Sequence, residues 1–225
     1  DHSASTGTNS LGRPSRVRHK RKNPMTDASF MGCFFFSWCK PLLDRGAKHP
    51  LQEDDLWELA PEDSTRVNAE LFVKSWKAHR PSLWRAMLWA YFWPFCACGC
   101  MTVTCALLDF VGPWSVGKVI EFAQDPSVPS GVCMLYVVVL TLAKLAQAAI
   151  IQQYTFLVGR LSIRLSSGLK HAIFTKMLVL SPGERQERGT GGLVNNVTVD
   201  VDKVVKSFMG IWNMLTLPLQ IGLSM

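Results

Sequence analysis

Charge is missing altogether from two long stretches of this 225-residue sequence. No Asp, Glu, Lys or Arg occurs from Ala86 to Leu108 or from Ser207 to Met225. These runs of about 23 and about 19 residues are close to the ~20 that carry a helix across a hydrocarbon core. With 48% apolar residues, eight Trp and a positive mean hydropathy, they argue against buried helices of a soluble core and predict an all-α membrane protein. A third apolar segment, Val132 to Val158, carries a single charge, Lys144. Membrane helices are therefore expected at about 84–110, at 132–158 with an extension to 181, and at 207–225.

Other absences narrow the function. The stretch Gly112-Pro113-Trp114-Ser115-Val116-Gly117-Lys118-Val119 copies a phosphate-binding loop except at its last position. There Val119 lacks the hydroxyl that would hold Mg²⁺, and a membrane helix stands where a strand should. Seven Cys is an odd number and frames no disulfide set. Cys96, Cys98 and Cys100 do not read as a metal site, because helical residues two apart point about 200° apart. Only Cys96 and Cys100 would share a face, and all three read as small apolar residues. Large apolar side chains are scarce from Asp1 to Asn23, so 1–24 is expected to be a disordered basic tail. The aromatic run Phe30 to Trp38 is too short to span, and Lys40-Pro41 follows it where a cleavage site would need small residues. An interfacial segment fits it better than a signal peptide.

The charge that is present is unevenly placed. Of the net +7, basic clusters fall at Arg13 to Lys22 and from Gly159 to Arg188, whereas the 111–131 connection sets Lys118 against Glu121 and Asp125. The excess of basic residues puts the N-terminus and the 159–206 loop on the cytosolic side and the 111–131 connection on the other, in a multi-pass arrangement. This use of charge leaves no call for nucleic acid as a partner. It also places the sequon Asn196-Val197-Thr198 where it should stay unmodified. In the 159–206 loop, Leu161, Leu165, Leu169 and Ile173 recur at helical spacing, so the second membrane helix continues into water. Ser181-Pro182-Gly183 should end it, and Gly189 to Gly192 should form a tight turn before Leu193 to Val205 leads back. Upstream, Leu71, Phe72 and Trp76 make 64–80 a short amphipathic helix expected to lie on the membrane surface, and Trp84, Trp89, Tyr91 and Trp93 form an aromatic belt. The first membrane helix is expected to end at Asp109 to Pro113. Lys144, at mid-membrane depth, either lines a pathway or snorkels or pairs with Asp109 for structure alone, and both readings stand.

Two separate stretches then resemble one family. Arg164, Lys170-His171-Ala172-Ile173-Phe174, Lys176-Met177-Leu178-Val179-Leu180-Ser181 and then Gly191-Gly192-Leu193-Val194-Asn195-Asn196-Val197-Thr198-Val199-Asp200 look like the first intracellular loop of ABC transporters of subfamily C, the multidrug-resistance-associated type. Ser162 replaces a usual Gly, Thr198 a usual Ser, and Thr175 a common Arg. Independently, Ala28-Ser29-Phe30, Trp38-Cys39-Lys40-Pro41-Leu42-Leu43, Gly46, Leu51-Gln52-Glu53-Asp54-Asp55-Leu56-Trp57 and Glu62-Asp63 resemble the lasso that precedes the first core membrane domain of that subfamily.

The resemblance implies an ABC exporter-type transmembrane domain, truncated after about three membrane helices, with 25–80 as lasso linker and amphipathic helix and 81–225 as the partial domain. It implies the membrane-spanning part of an ATP-driven exporter, located in the plasma or a vacuolar/endosomal membrane. Its partners are the bilayer, the remaining helices, nucleotide-binding domains and an unknown small-molecule substrate. The coupling contact falls on Gly191, Gly192, Leu193, Asn195, Thr198 and Asp200, and the substrate pathway on Lys144 and Asp109. Family members that export organic anions often carry a basic residue in the first helix, and Arg85 to Lys118 encloses none. ATP and Mg²⁺ are expected on nucleotide-binding domains, since these 225 residues hold no complete phosphate loop, no LSGGQ-type signature and no Walker B carboxylates, so no ATPase site and no cofactor is assigned to the chain itself. Two alternatives remain at this stage, a non-transporting channel-regulatory subunit and a truncated product without function.

Overall fold

The computed structural model describes residues 22–52, 55–123, 130–179 and 195–224. The chain forms two compact units that divide after Leu59. All regular structure among the described residues is helical.

The first unit is built from short turns. Asn23 caps a 3₁₀ turn, Pro24–Asp27, through its side-chain oxygen on the Met25 amide at 3.0 Å. Ser29 then caps helix α1, Phe30–Phe34, by accepting from the Gly32 amide at 3.2 Å. The aromatic run does not continue as one helix, because Phe36 adopts a left-handed backbone (φ 54°) and starts a separate turn at Ser37–Cys39. Helix α2, Lys40–Gly46, begins with Pro41 in its first turn, where a missing N–H costs nothing. Trp38 and Trp57 bring their rings to 5.8 Å. Met31, Phe35 and Leu43 remain well exposed.

The second unit starts with a 3₁₀ turn, Pro61–Asp63, and helix α3, Thr65–His79. Helix α4, Leu83–Ala90, is capped by Ser82, whose hydroxyl accepts from the Arg85 amide. Helix α5, Phe92–Ala123, follows after a bend at Tyr91 (φ −130°, ψ 35°). Helix α6 runs without a break from Ser130 to Val179, about 75 Å at 1.5 Å per residue. After Asn195, a π-helical turn at Asn196–Asp200 leads into α7, Val201–Met209, and then α8, Ile211–Ser224.

Three boundaries differ from the expectation at 84–110, 132–158 and 207–225. The first membrane helix starts at Phe92, and the residues before it form α4 on the other side of the Tyr91 bend. At its far end it passes through Gly112-Pro113 to Ala123, so the stop expected at Asp109 to Pro113 does not occur. Proline deletes one hydrogen bond, to the Asp109 carbonyl, and crowds it, but apolar residues continue on both sides and a membrane helix tolerates such a gap. The last segment inflects at Gly210, although the Gly210 amide still donates to the Lys206 carbonyl at 3.0 Å and Met214 to Gly210 at 3.1 Å. The breaker at Ser181 to Gly183 and the turn at Gly189 to Gly192 lie outside the described residues.

Two helices, Phe92–Phe122 and Gly131–Val179, are long and apolar enough to cross a membrane. Most of their apolar surface faces outward, with Trp93 81% exposed and Leu142 and Leu145 about as open as surface residues. The packed core sits instead where α3, α4, the start of α5, the later half of α6 and α7 converge. Leu161, Leu165 and Leu169 are buried there, one turn apart, against Phe72, Met87, Phe95, Val205 and Phe208. The i+4 stripe that marked α6 as amphipathic is thus the stripe that meets its neighbours.

Candidate functional site

Lys144 on α6 and Asp109 on α5 come together. The Lys144 ammonium lies 3.3 Å from Asp109 Oδ1 and donates to Gln147 Oε1 at 2.9 Å, while Gln147 Nε2 donates to Asp109 Oδ1 at 2.7 Å. Gln147 sits one turn beyond Lys144 and makes the pair a closed triangle, a partner that the sequence pattern did not single out. Gly112 faces the lysine stem, and a Cβ there would make ordinary contact with Lys144 Cε at 3.8 Å. The two charges cancel, which reduces the penalty for holding either at membrane depth. Both side chains are about half exposed, so the triangle is open on one side.

A second cluster ties the start of α3 to the part of α6 just past the apolar run. Asp63 accepts from Arg160 Nε at 2.9 and 3.0 Å and from Arg164 Nε, and Glu62 accepts from Arg164 Nη2 at 2.9 Å. Burial pushes the Asp63 carboxyl up, but the Arg160 and Arg164 guanidiniums outweigh it and hold the group below the ordinary carboxylate range. Behind the clamp, buried Asn68 donates to the Glu62 and Ser64 carbonyls at 3.1 and 2.9 Å and accepts from the Tyr91 hydroxyl at 2.9 Å. Every polar atom of its amide finds a partner. Gly168 lets α3 approach closely, because a Cβ there would meet the Asn68 carbonyl at 3.0 Å.

The two arms of the hairpin are joined by Lys170, whose ammonium lies 3.0 Å from Asp202 Oδ1, and by Ser166, whose hydroxyl donates to the same oxygen at 3.1 Å. The Lys170 and Ser166 hydrogen bonds hold the exposed Asp202 carboxyl below its usual value. Farther along, Asn195, Thr198 and Asp200 stand exposed at the start of the returning arm, two of them on its π-helical turn. Gly191, Gly192 and Leu193 lie outside the described residues. The returning arm closes on α5 at Trp212, whose indole N–H donates to the Phe95 carbonyl at 2.9 Å over Gly99.

The phosphate-loop look-alike from Gly112 to Val119 is part of α5. Most of its amides are engaged along the helix and cannot converge on a phosphate, so these residues do not fit ATP or Mg²⁺. No cluster of three His, Cys, Asp or Glu is placed to hold a metal among the described residues, and Cys98 packs into the core.

Crossing helices that run on past the apolar layer into a paired hairpin define an exporter-type transmembrane domain. The chain belongs to the ABC transporter transmembrane region family, whose sequence profile matches residues 95–225. It is homologous over most of its length to members of subfamily C. It is 31% identical over 196 residues to human ATP-binding cassette sub-family C member 4, covering 81% of this chain and 15% of that protein. Human sub-family C member 3 is 25% identical over 237 residues, 89% of this chain and 15% of that one. A Schizosaccharomyces pombe protein described as a vacuolar heme ABC transmembrane exporter, abc3, is 28% identical over 227 residues, 95% of this chain and 15% of its own. The chain spans about 15% of the length of the curated relatives it matches.

Proposed function

We propose that this chain forms part of the membrane pathway of an ATP-driven exporter and carries the hairpin through which a nucleotide-binding domain acts on that pathway. The observation that carries the reading is α6, a single helix that holds Lys144 in its apolar half and Leu161, Leu165 and Leu169 in its packed half. A rotation imposed at the hairpin cannot be absorbed by a loop before it reaches the membrane segment. Glu62 and Asp63 on Arg160 and Arg164 attach the linker to the same rod at the point where it leaves the apolar layer. Thr198 and Asp200, with Gly191, Gly192, Leu193 and Asn195, form the contact for the nucleotide-binding domain, which supplies ATP and Mg²⁺. Lys144 and Asp109 belong to the pathway wall. As a neutral pair they give no preference for anionic cargo, in keeping with the lack of basic residues between Arg85 and Lys118. The N-terminus and hairpin face the cytosol in a plasma or vacuolar/endosomal membrane.

The test uses the complete transporter. Gly191→Pro or Asp200→Lys should leave membrane insertion intact, keep ATP turnover and abolish its stimulation by transported substrate, because each alters the docking surface and not the crossing helices. Normal coupling in both variants would return the hairpin to a solvated connector.

A further inference from the structure

A groove of about 1020 Å³ runs between α3 and the last two turns of α6. Its floor is apolar, and short side chains line it, Ala69 and Val73 from α3 and Ala172 from α6, with Trp76 at one end, so that an occupant could approach both helices closely. On α3, Ala69, Val73 and Trp76 are spaced four and three residues apart, and Arg80 follows at the C-cap. On α6, Ala172, Lys176 and Val179 repeat at four and three. Each helix therefore presents a single face to the groove. Two such faces side by side form the seat for a third helix, and Val179, at 83% exposure, has nothing over it among the described residues. The rim is positive. Arg66 is neutralised by Glu70 at 3.1 Å, whereas Arg80, stacked over the Trp76 ring at 5.7 Å, and Lys176 on the opposite wall add charge of one sign.

The geometry points to an acidic amphipathic helix of about four turns (~20 Å), the length of the wall from Arg66 on α3 to Arg80 at its C-cap, as the occupant of this groove. Its apolar face would lie on Val73, Trp76 and Ala172 and its carboxylates on Arg80 and Lys176. A lipid headgroup fits poorly, because His171 to Val179 lie about 20–30 Å along α6 beyond Val158, the end of the apolar run, and so stand clear of the headgroup layer. The chain's own N-terminal tail, with Arg16 to Lys22, carries the wrong sign. The inference rests on the cytosolic orientation proposed above.

The experiment uses the full 225-residue chain in phosphatidylcholine vesicles. The probe is a fluorescein-labelled peptide of about 15 residues, with Leu at i, i+3, i+4, i+7 and Glu on both flanks. Fluorescence anisotropy should show saturable binding. It should weaken about tenfold or more in Arg80→Glu/Lys176→Glu. A peptide with Lys in place of Glu should bind that variant better than the parent, a gain that misfolding could not produce. Ala172→Trp, which fills the floor, should abolish binding of both peptides. Equal binding of a scrambled peptide, or indifference to the charge reversal, would overturn the proposal. So would the absence of saturable binding to the parent chain. Shielding of Thr175→Cys from maleimide by phosphatidylserine alone would assign the groove to an anionic lipid instead, and would overturn it too. Orientation is read separately, from labelling of Thr175→Cys by membrane-impermeant maleimide in intact cells and in inside-out vesicles. Labelling from the cell exterior sinks the topology. Cytosolic labelling without peptide binding sinks the docking proposal alone.

Discussion

Asp63 and Gly99 show how much a single position governs here. Asp63 is the shared acceptor for two guanidiniums and is mostly buried, so Asp63→Asn should leave Arg160 and Arg164 short of a counter-charge and cost about 1–3 kcal/mol. Thermal unfolding in detergent, followed by Trp fluorescence, would show it as a lower midpoint. The pH dependence has a definite sign. The Asp63 carboxyl titrates below its ordinary value of 3.8 when folded, so its contribution is complete above that value and is lost as pH falls further through the lowered one. The parent should therefore lose stability relative to Asp63→Asn below about pH 4, with no difference in slope near neutrality. A slope difference at pH 6–8 would assign the effect to another group. At Gly99 a Cβ would overlap the Trp212 indole, and the ring cannot retreat without giving up its hydrogen bond to Phe95. Gly99→Ala should cost about 1–3 kcal/mol, and the loss should be smaller in a Trp212→Ala background. Additive losses in that double-mutant cycle would show that the two residues do not meet.

At the scale of elements, α6 divides into a half that packs and a half that faces outward. Leu165→Ala, fully buried at the convergence of α3, α5 and α7, should destabilise by about 2–5 kcal/mol, whereas Leu142→Ala, at 60% exposure, should cost little. Comparable melting temperatures for the two would refute the placement of the core. The packed half was legible in the sequence because period and burial coincide: Leu161, Leu165 and Leu169 announce their face through spacing alone. The Lys144–Asp109 pair was legible for another reason, since two charges in apolar helices have few partners to choose from. The clamp was not. Glu62 and Asp63 stood out only as part of the lasso resemblance and Arg164 only as part of the loop resemblance, and no local pattern joins residues about a hundred positions apart. The passage of α5 through Pro113 was missed because a proline reports only the bond it deletes. What outweighs that loss is apolar surface on both sides of it.

For the whole molecule, the proposed coupling depends on the sidedness of the hairpin. Asn196 in its sequon should remain unglycosylated in microsomes, and a sequon placed in a lengthened 124–131 connection should be modified. Glycosidase-sensitive mass shifts read both, and modification at Asn196 would reverse the orientation. If the orientation holds, the unbroken length of α6 sets the mechanical scale of the domain. A rod of about 75 Å that tilts by about 5° carries one end about 6 Å relative to the other, more than one helical turn of 5.4 Å. A displacement of about 6 Å at the hairpin therefore becomes a change of about 5° in the angle between neighbouring crossings. The outward-facing apolar surface of α5 and α6 is then a bearing as much as a seal: neighbours that slide over it must accommodate that angle without exposing Lys144 and Asp109 to hydrocarbon.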